Sequence, residues 1–430
     1  MTFKKCSKAA LGCGLVLITG LVFLGGCGGS STTSISTPAK SNTASISIGF
    51  GALGASGGYV NGAWTTVTIC APNSTTNCQT IDNVLVDTGS IGLRILNSAL
   101  TTVPASSLTA IAGDSSGDAL QECVQYGDTS YSWGPMMAAN VEIAGETASS
   151  VPIQVIGGNS FNVPSACIAV PIVAGLPNGG NDDTLQALGG NGILGIEGYA
   201  WDCGPGCETP ATGNPYYVCP SGECEIVGVS TASQATNPVA AFSSSDNNGV
   251  LITLPSVSAA GAADGTISGS LIFGIGTQSD NAFASSVTVY GLDEYGNIPE
   301  ATYNGVEYTS PNNTIILDTG SNAFYFLDAN TLGSVGIVDC ADAAGFYCPS
   351  STIPFSVTVA GSTSTSGTIA FNIANADTLF SSGNSVFNNL GGAGGAGPST
   401  DDLDFGVPFF LGGNVFTGIE TSTTAGYFAY

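Results

Sequence analysis

One tetrapeptide occurs twice, each time at the end of an apolar run. Asn83-Val-Leu-Val leads into Asp87-Thr88-Gly89-Ser90, and Asn313-Thr-Ile-Ile-Leu leads into Asp318-Thr319-Gly320-Ser321. Each copy is followed, at a similar interval, by an apolar-apolar-Gly segment: Gly192-Ile193-Leu194-Gly195 after the first and Phe409-Phe410-Leu411-Gly412 after the second. A chain that repeats strand, tight acidic turn and distant apolar-Gly segment is expected to fold as two lobes of one design. Abundant Val, Ile, Thr, Tyr and Phe beside 61 glycines make those lobes all-β. With 43% hydrophobic and only 8% charged residues, the chain differs from acidic disordered proteins, which combine high charge with few apolar groups.

Charge and missing residue types narrow the chemistry. Five Lys and Arg stand against 31 Asp and Glu, a net charge of −26, so no basic surface exists to neutralise phosphates and nucleic acid is excluded as a partner. There is no histidine. Ser-His-Asp triads, Cys-His pairs and HExxH zinc sites are therefore impossible, and catalysis has to run on carboxylates, with no metal or cofactor expected. Gly113-Asp-Ser115-Ser-Gly117 has nucleophile-elbow spacing but no histidine to activate its serine. Asp401, Asp402 and Asp404 are spaced as calcium ligands could be, and are read as a solvated acidic turn. At neutral pH so negative a surface repels itself, whereas below the carboxylate range, about pH 4, the charge disappears; the composition points to work in acid.

The amino terminus reads as an export signal: Lys4, Lys5 and Lys8 precede an apolar run too short to span a membrane, then Leu24-Gly25-Gly26-Cys27. That last sequence resembles a bacterial lipoprotein cleavage box, which implies that residues 1–27 form a lipoprotein signal peptide cut just before Cys27, which becomes the lipidated first residue anchored to the cell envelope. Gly28 after Cys27 differs from the aspartate that holds such proteins in the inner membrane, so the outer membrane or cell surface is favoured. Residues 28–45, rich in Ser, Thr and Gly, read as a flexible tether. Of 13 cysteines, Cys6, Cys13 and Cys27 belong to this region, and the remaining even number suits disulfides in an oxidising compartment. Proximity suggests Cys70 with Cys78, Cys123 with Cys167 and Cys340 with Cys348, leaving Cys203, Cys207, Cys219 and Cys224 to pair among themselves.

From about residue 46 onward the pattern resembles the pepsin-like (A1-type) aspartic proteases. That likeness implies a bilobal pepsin-like fold, two related β-barrel-like lobes with a cleft between them, divided here as residues 46–235 and 236–430. It implies that Asp87 and Asp318 meet at the cleft floor as the catalytic pair. Thr88 and Thr319 would interlock beneath them, Gly89 and Gly320 permit the tight turns, and Ser90 and Ser321 hydrogen-bond the outer carboxylate oxygens. Gln125-Tyr126-Gly127-Asp128-Thr129 looks like the family's flap, the hairpin that closes over substrate, and Ser268–Gly274 is similar to the strand opening the second lobe.

The chemistry explains the set. Two adjacent carboxylates cannot both ionise cheaply, so they share a proton; the charged one can activate a water while the protonated one polarises a peptide carbonyl. The implied function is a membrane-tethered acid endopeptidase acting on extended polypeptide. The alternative is an inert pepsin-like shell that binds peptide, glycan or protein at the cell surface. Three departures stand out: Arg94 replaces the family's usual aromatic residue and is a candidate modulator of the dyad's pKa, no basic pro-segment is visible, and Trp201–Thr236 carries four cysteines. That stretch reads as a lobe-linking or cleft-edge insertion. Arg94, opposite in strand alternation to Leu93 and Ile95, is expected either to face the flap and dyad or to lie in solvent.

Overall fold

The computed structural model describes residues 42–57, 59–168, 180–395 and 401–430, so the leader, Cys27 and Lys40 lie outside the described residues. The fold is all-β and two-lobed, and the doubled sequence pattern reappears as doubled topology. In the first lobe the strand Cys78–Asp87 runs parallel to Gly192–Ile196, which is in turn antiparallel to Ile91–Leu96. In the second lobe Ile315–Leu317 runs parallel to Leu403–Phe405, which is antiparallel to Phe324–Phe326.

The lobes share a base. Thr43–Gly49 pairs with Gly62–Cys70 on one side and with Ile267–Phe273 on the other, and the ladder continues through Gly249–Thr253, Asn414–Gly418, Tyr427–Ala429 and Val289–Gly291. Ser268–Gly274 thus falls largely within a strand of this joining sheet.

Strand patterns follow what each sheet covers. Ile353–Ala360 alternates, burying Phe355, Val357 and Val359 while Ser356 and Thr358 meet water, and Phe355 stands opposite Phe371 on the paired strand Ser366–Ile373. Phe324, Phe326 and Phe405 close over this pair, each fully buried phenylalanine contributing about 1.5–3 kcal/mol. Ile91–Leu96, by contrast, is buried at every position, because both of its faces are covered.

All ten described cysteines are paired. Cys70–Cys78, Cys123–Cys167 and Cys340–Cys348 form as expected, and the remaining four join as Cys203–Cys207 and Cys219–Cys224. Multiple disulfides mark an exported protein. Among the described residues no helix is long and apolar enough to cross a membrane.

The Cys-rich stretch is an ordered insertion built onto the predicted flap. Its strand Tyr216–Val218 pairs with Gln121–Gln125, the first strand of the predicted flap hairpin, and Glu225–Ile226 pairs beyond it. The hairpin therefore lies inside the large sheet, with Tyr216–Val218 on one side and Glu146–Ile156 on the other.

Candidate active site

Both Asp-Thr-Gly loops sit at strand ends and face each other across a pseudo-twofold relation. Thr319 Oγ1 accepts the Thr88 N–H at 3.2 Å and donates to Val86 O at 2.8 Å; Thr88 Oγ1 accepts the Thr319 N–H at 3.0 Å and donates to Leu317 O at 2.8 Å. Each loop thereby completes the other.

Above this interlock the two carboxyls are held in matching ways. Gly89 N–H donates to Asp87 Oδ1 at 2.9 Å and Ser90 Oγ to Asp87 Oδ2 at 2.5 Å; Gly320 N–H donates to Asp318 Oδ1 at 2.7 Å and Ser321 Oγ to Asp318 Oδ2 at 2.9 Å. The glycines are required by space. A Cβ on Gly89 would lie 2.5 Å from Asp318 Cγ, and one on Gly320 would lie 2.5 Å from Asp87 Oδ1, so any side chain would push the carboxyls apart.

Asp87 and Asp318 are essentially inaccessible to solvent and lie within hydrogen-bonding reach of each other. Burial first, then the neighbouring Asp318 charge, push the Asp87 carboxyl up to about 7. A pair with one retained proton is what this environment favours over a broad acid range.

Three groups that the sequence reading missed complete the surroundings. Tyr59, fully buried, donates its hydroxyl to Gly320 O at 3.3 Å; burial and the charges of Asp318, Asp87, Asp128 and Asp404 keep that hydroxyl protonated. Glu197 follows the strand Gly192–Ile196, its N–H bonded to Ser90 O and its carboxyl pressed on Gly296 of the second lobe. Burial, then the charges of Asp87 and Asp318, raise it to about 8.

The third is Asp404. The strand beside Asp318 is Leu403–Phe405, so the structural counterpart of Ile193-Leu194-Gly195 is Asp404-Phe405-Gly406. Phe409-Phe410-Leu411-Gly412, expected in that place, instead spans the end of the short helix Val407–Phe410 and the turn after it. Asp404 thus occupies the position of Ile193. It is 5% exposed, correcting the solvated-turn reading at this residue, and burial together with Asp318 holds its carboxyl well above the usual range. Asp401 is buried too, and Asp402 lies largely out of water with burial raising its carboxyl. Ser321 Oγ stands 2.5 Å from Asp404 Oδ2 as well as 2.9 Å from Asp318 Oδ2. One hydroxyl carries one proton, so one of these contacts is made by a proton held on a carboxyl.

Tyr126, Gly127 and Asp128 form the turn between Gln121–Gln125 and Tyr131–Ile143, with Tyr126 N–H bonded to Ser130 O and Thr129 at φ +71°. The Asp128 charge is among those that raise the Tyr59 hydroxyl. Tyr126 itself is buried against Leu96, Ile156 and Ile193, with its hydroxyl 3.0 Å from Ser132 Oγ.

Arg94 is neither in solvent nor against the aspartates. It is 2% exposed, donates to Ile91 O at 2.6 Å and Glu122 Oε1 at 3.0 Å, and lies 3.7 Å from Asp202 Oδ2. Its charge is set against those acids. The described clusters with metal-ligand spacing, Cys70–Cys78 with Glu142 and Cys340–Cys348 with Asp377, each contain a disulfide and so offer no thiolate.

Two lobes sharing a sheet, each closing an Asp-Thr-Gly loop against the other, define an all-β protein of pepsin-like architecture. Residues 38–430 match the family described as "Protein of unknown function (DUF3443)", and the chain belongs to that family. Among solved structures, the aspartic proteinase from Irpex lacteus is similar over 90% of this chain and 97% of its own, with 14% identity and a TM-score of 0.49. No curated protein matches.

Proposed function

We propose that the chain is an aspartic-type endopeptidase working in acid, with Asp87 and Asp318 as its catalytic pair. The observation that carries this is the matched support of two mutually contacting carboxyls, each held by its own glycine N–H and serine hydroxyl and tied from below by the opposite threonine. With one proton on the pair, the ionised carboxyl takes a proton from a water as that water attacks the scissile carbonyl carbon, and the protonated carboxyl gives its proton to the carbonyl oxygen. The carboxyl that took the water's proton then gives it to the leaving nitrogen as the C–N bond breaks, while a diol hydroxyl returns a proton to the other carboxyl, leaving a carboxylic acid product, an amine and one proton on the pair. The buried carboxyls of Glu197 and Asp404, both raised by burial, favour the same acidic conditions.

The substrate is extended polypeptide, laid as an added strand between the lobes of residues 46–235 and 236–430 beneath the turn Tyr126-Gly127-Asp128. Export followed by lipidation at Cys27 would hold the enzyme at the cell envelope.

Incubation with a denatured protein at about pH 3–5, the range in which one dyad proton is kept, tests the reading. Cleavage should occur, stop with a statine-type inhibitor, and be lost in Asp87→Asn and in Asp318→Asn, both of which should stay folded. Turnover retained by either folded variant would sink the assignment. Peptide binding without cleavage by the parent would establish the inert shell instead.

A further inference from the structure

Apart from the dyad there is a second buried polar cluster that the proposed chemistry does not use. Arg94 joins Glu122, on the first flap strand, to Asp202, at the start of the Cys-rich segment. Asp202 Oδ1 accepts the Tyr216 hydroxyl at 2.6 Å, and that hydroxyl accepts the Ala235 N–H at 2.8 Å, so both ends of the segment converge on one carboxyl. From the other side the flap tyrosine is reached: Tyr126 donates to Ser132, Ser132 Oγ to Gln154 Oε1 at 2.9 Å, and Gln154 Nε2 to Glu122 O at 2.8 Å.

We infer that Arg94, Glu122 and Asp202 form a positioning network through which the Cys-rich segment fixes the flap hairpin and its tyrosine above the two aspartates. A buried ion pair is a poor device for stability, since apolar residues of similar volume serve as well or better. This one is not even fully satisfied, because Arg94 Nε and Glu122 Oε2 have no hydrogen-bond partner. What it supplies is directional: a planar guanidinium allows one arrangement of three chain segments. The pairing Tyr216↔Glu122 and the Cys123–Cys167 and Cys219–Cys224 disulfides restrain the same corner covalently and by backbone hydrogen bonds. The flap is thus held from its outer edge rather than hanging free.

The test uses the intact disulfide-bonded protein and two variants, Asp202→Ala, which cuts the link to the Cys-rich segment, and Arg94→Lys, which keeps the charge but loses the fork. Amide hydrogen exchange is compared between residues 121–131 and the distant hairpin Ile353–Ile373. Exchange should accelerate about tenfold in the flap of both variants and stay unchanged in the distant hairpin. Unaltered flap exchange, or equal acceleration at both hairpins, overturns the inference. Resting on the peptidase reading, a kinetic arm adds that KM for a peptide should rise about tenfold with kcat within about twofold, the mark of lost substrate positioning. A parent that cleaves nothing sinks the peptidase reading while the exchange comparison still decides this one.

Discussion

Replacing Glu197 by glutamine should make the protein more resistant to alkaline conditions, by an amount set by where its carboxyl lies. Burial between the lobes, with Asp87 and Asp318 nearby, lifts that carboxyl from 4.5 to about 8. The folded state therefore holds this proton more tightly than the unfolded chain does. Its stabilising contribution is complete below pH 4.5, falls as pH rises, and is gone above about 8. At 1.36 kcal/mol per pH unit the whole span amounts to about 5 kcal/mol, a large part of what holds a domain folded. Glutamine matches the protonated acid in shape and cannot ionise. Parent and Glu197→Gln should unfold at nearly the same urea concentration at pH 4, diverge through pH 6 and 7.5, and differ by about 4–5 kcal/mol at pH 9 with the variant more stable. The Asp87 ionisation is common to both proteins and cancels in the difference. A gap that does not grow with pH, or a variant weaker than its parent at pH 9, would refute the reasoning.

Other perturbations have equally definite outcomes. Arg94→Met should cost about 3–5 kcal/mol in chemical denaturation at pH 7, because two buried acids lose their cation, and adding Glu122→Gln should recover part of it; a loss under about 1 kcal/mol would mean that the pair is solvated. Asp404→Asn removes the buried carboxyl that shares Ser321 with Asp318, so the acid limb of peptide hydrolysis should move by about one pH unit. An unmoved limb would separate Asp404 from the dyad. Removing both Cys123 and Cys167, 44 residues apart, should cost about 4 kcal/mol by chain entropy, measured by thermal or urea unfolding; a negligible change would show that the unfolded chain is restrained there by other means.

The sequence was most legible where chemistry demands a particular residue at a particular step. Asp-Thr-Gly-Ser is such a case, since its carboxyl, its two hydroxyls and its bare glycine each make a specific contact in a confined space. Short-range disulfides were readable for a related reason: few residues separate the partners of Cys70–Cys78 or Cys340–Cys348. The second apolar-Gly segment was misplaced because Phe409-Phe410-Leu411-Gly412 fits an apolar pattern better than Asp404-Phe405-Gly406, whose acid hides the strand. Glu197 and Tyr59 carry no local signal at all. Their meaning lies in Gly296 and Gly320, each brought from far along the chain. For Arg94, alternation left two faces open, flap or solvent, and because the strand is covered on both sides the charge meets Glu122 of the flap strand rather than water.

The reciprocal threonine interlock has a counterpart in kinship between the halves. Two identical copies of either half, docked about a true dyad axis, could make all four of those threonine bonds, yet such an assembly would give both aspartates the same surroundings. Here Ser90 serves Asp87, whereas Ser321 is divided between Asp318 and Asp404, and position 193 is isoleucine where its mate carries an acid. The molecule has in this way acquired a left and a right hand. On the proposed peptidase function, an arriving peptide bond, with a carbonyl at one end and an amide nitrogen at the other, would meet two carboxyls that are already unequal before it binds.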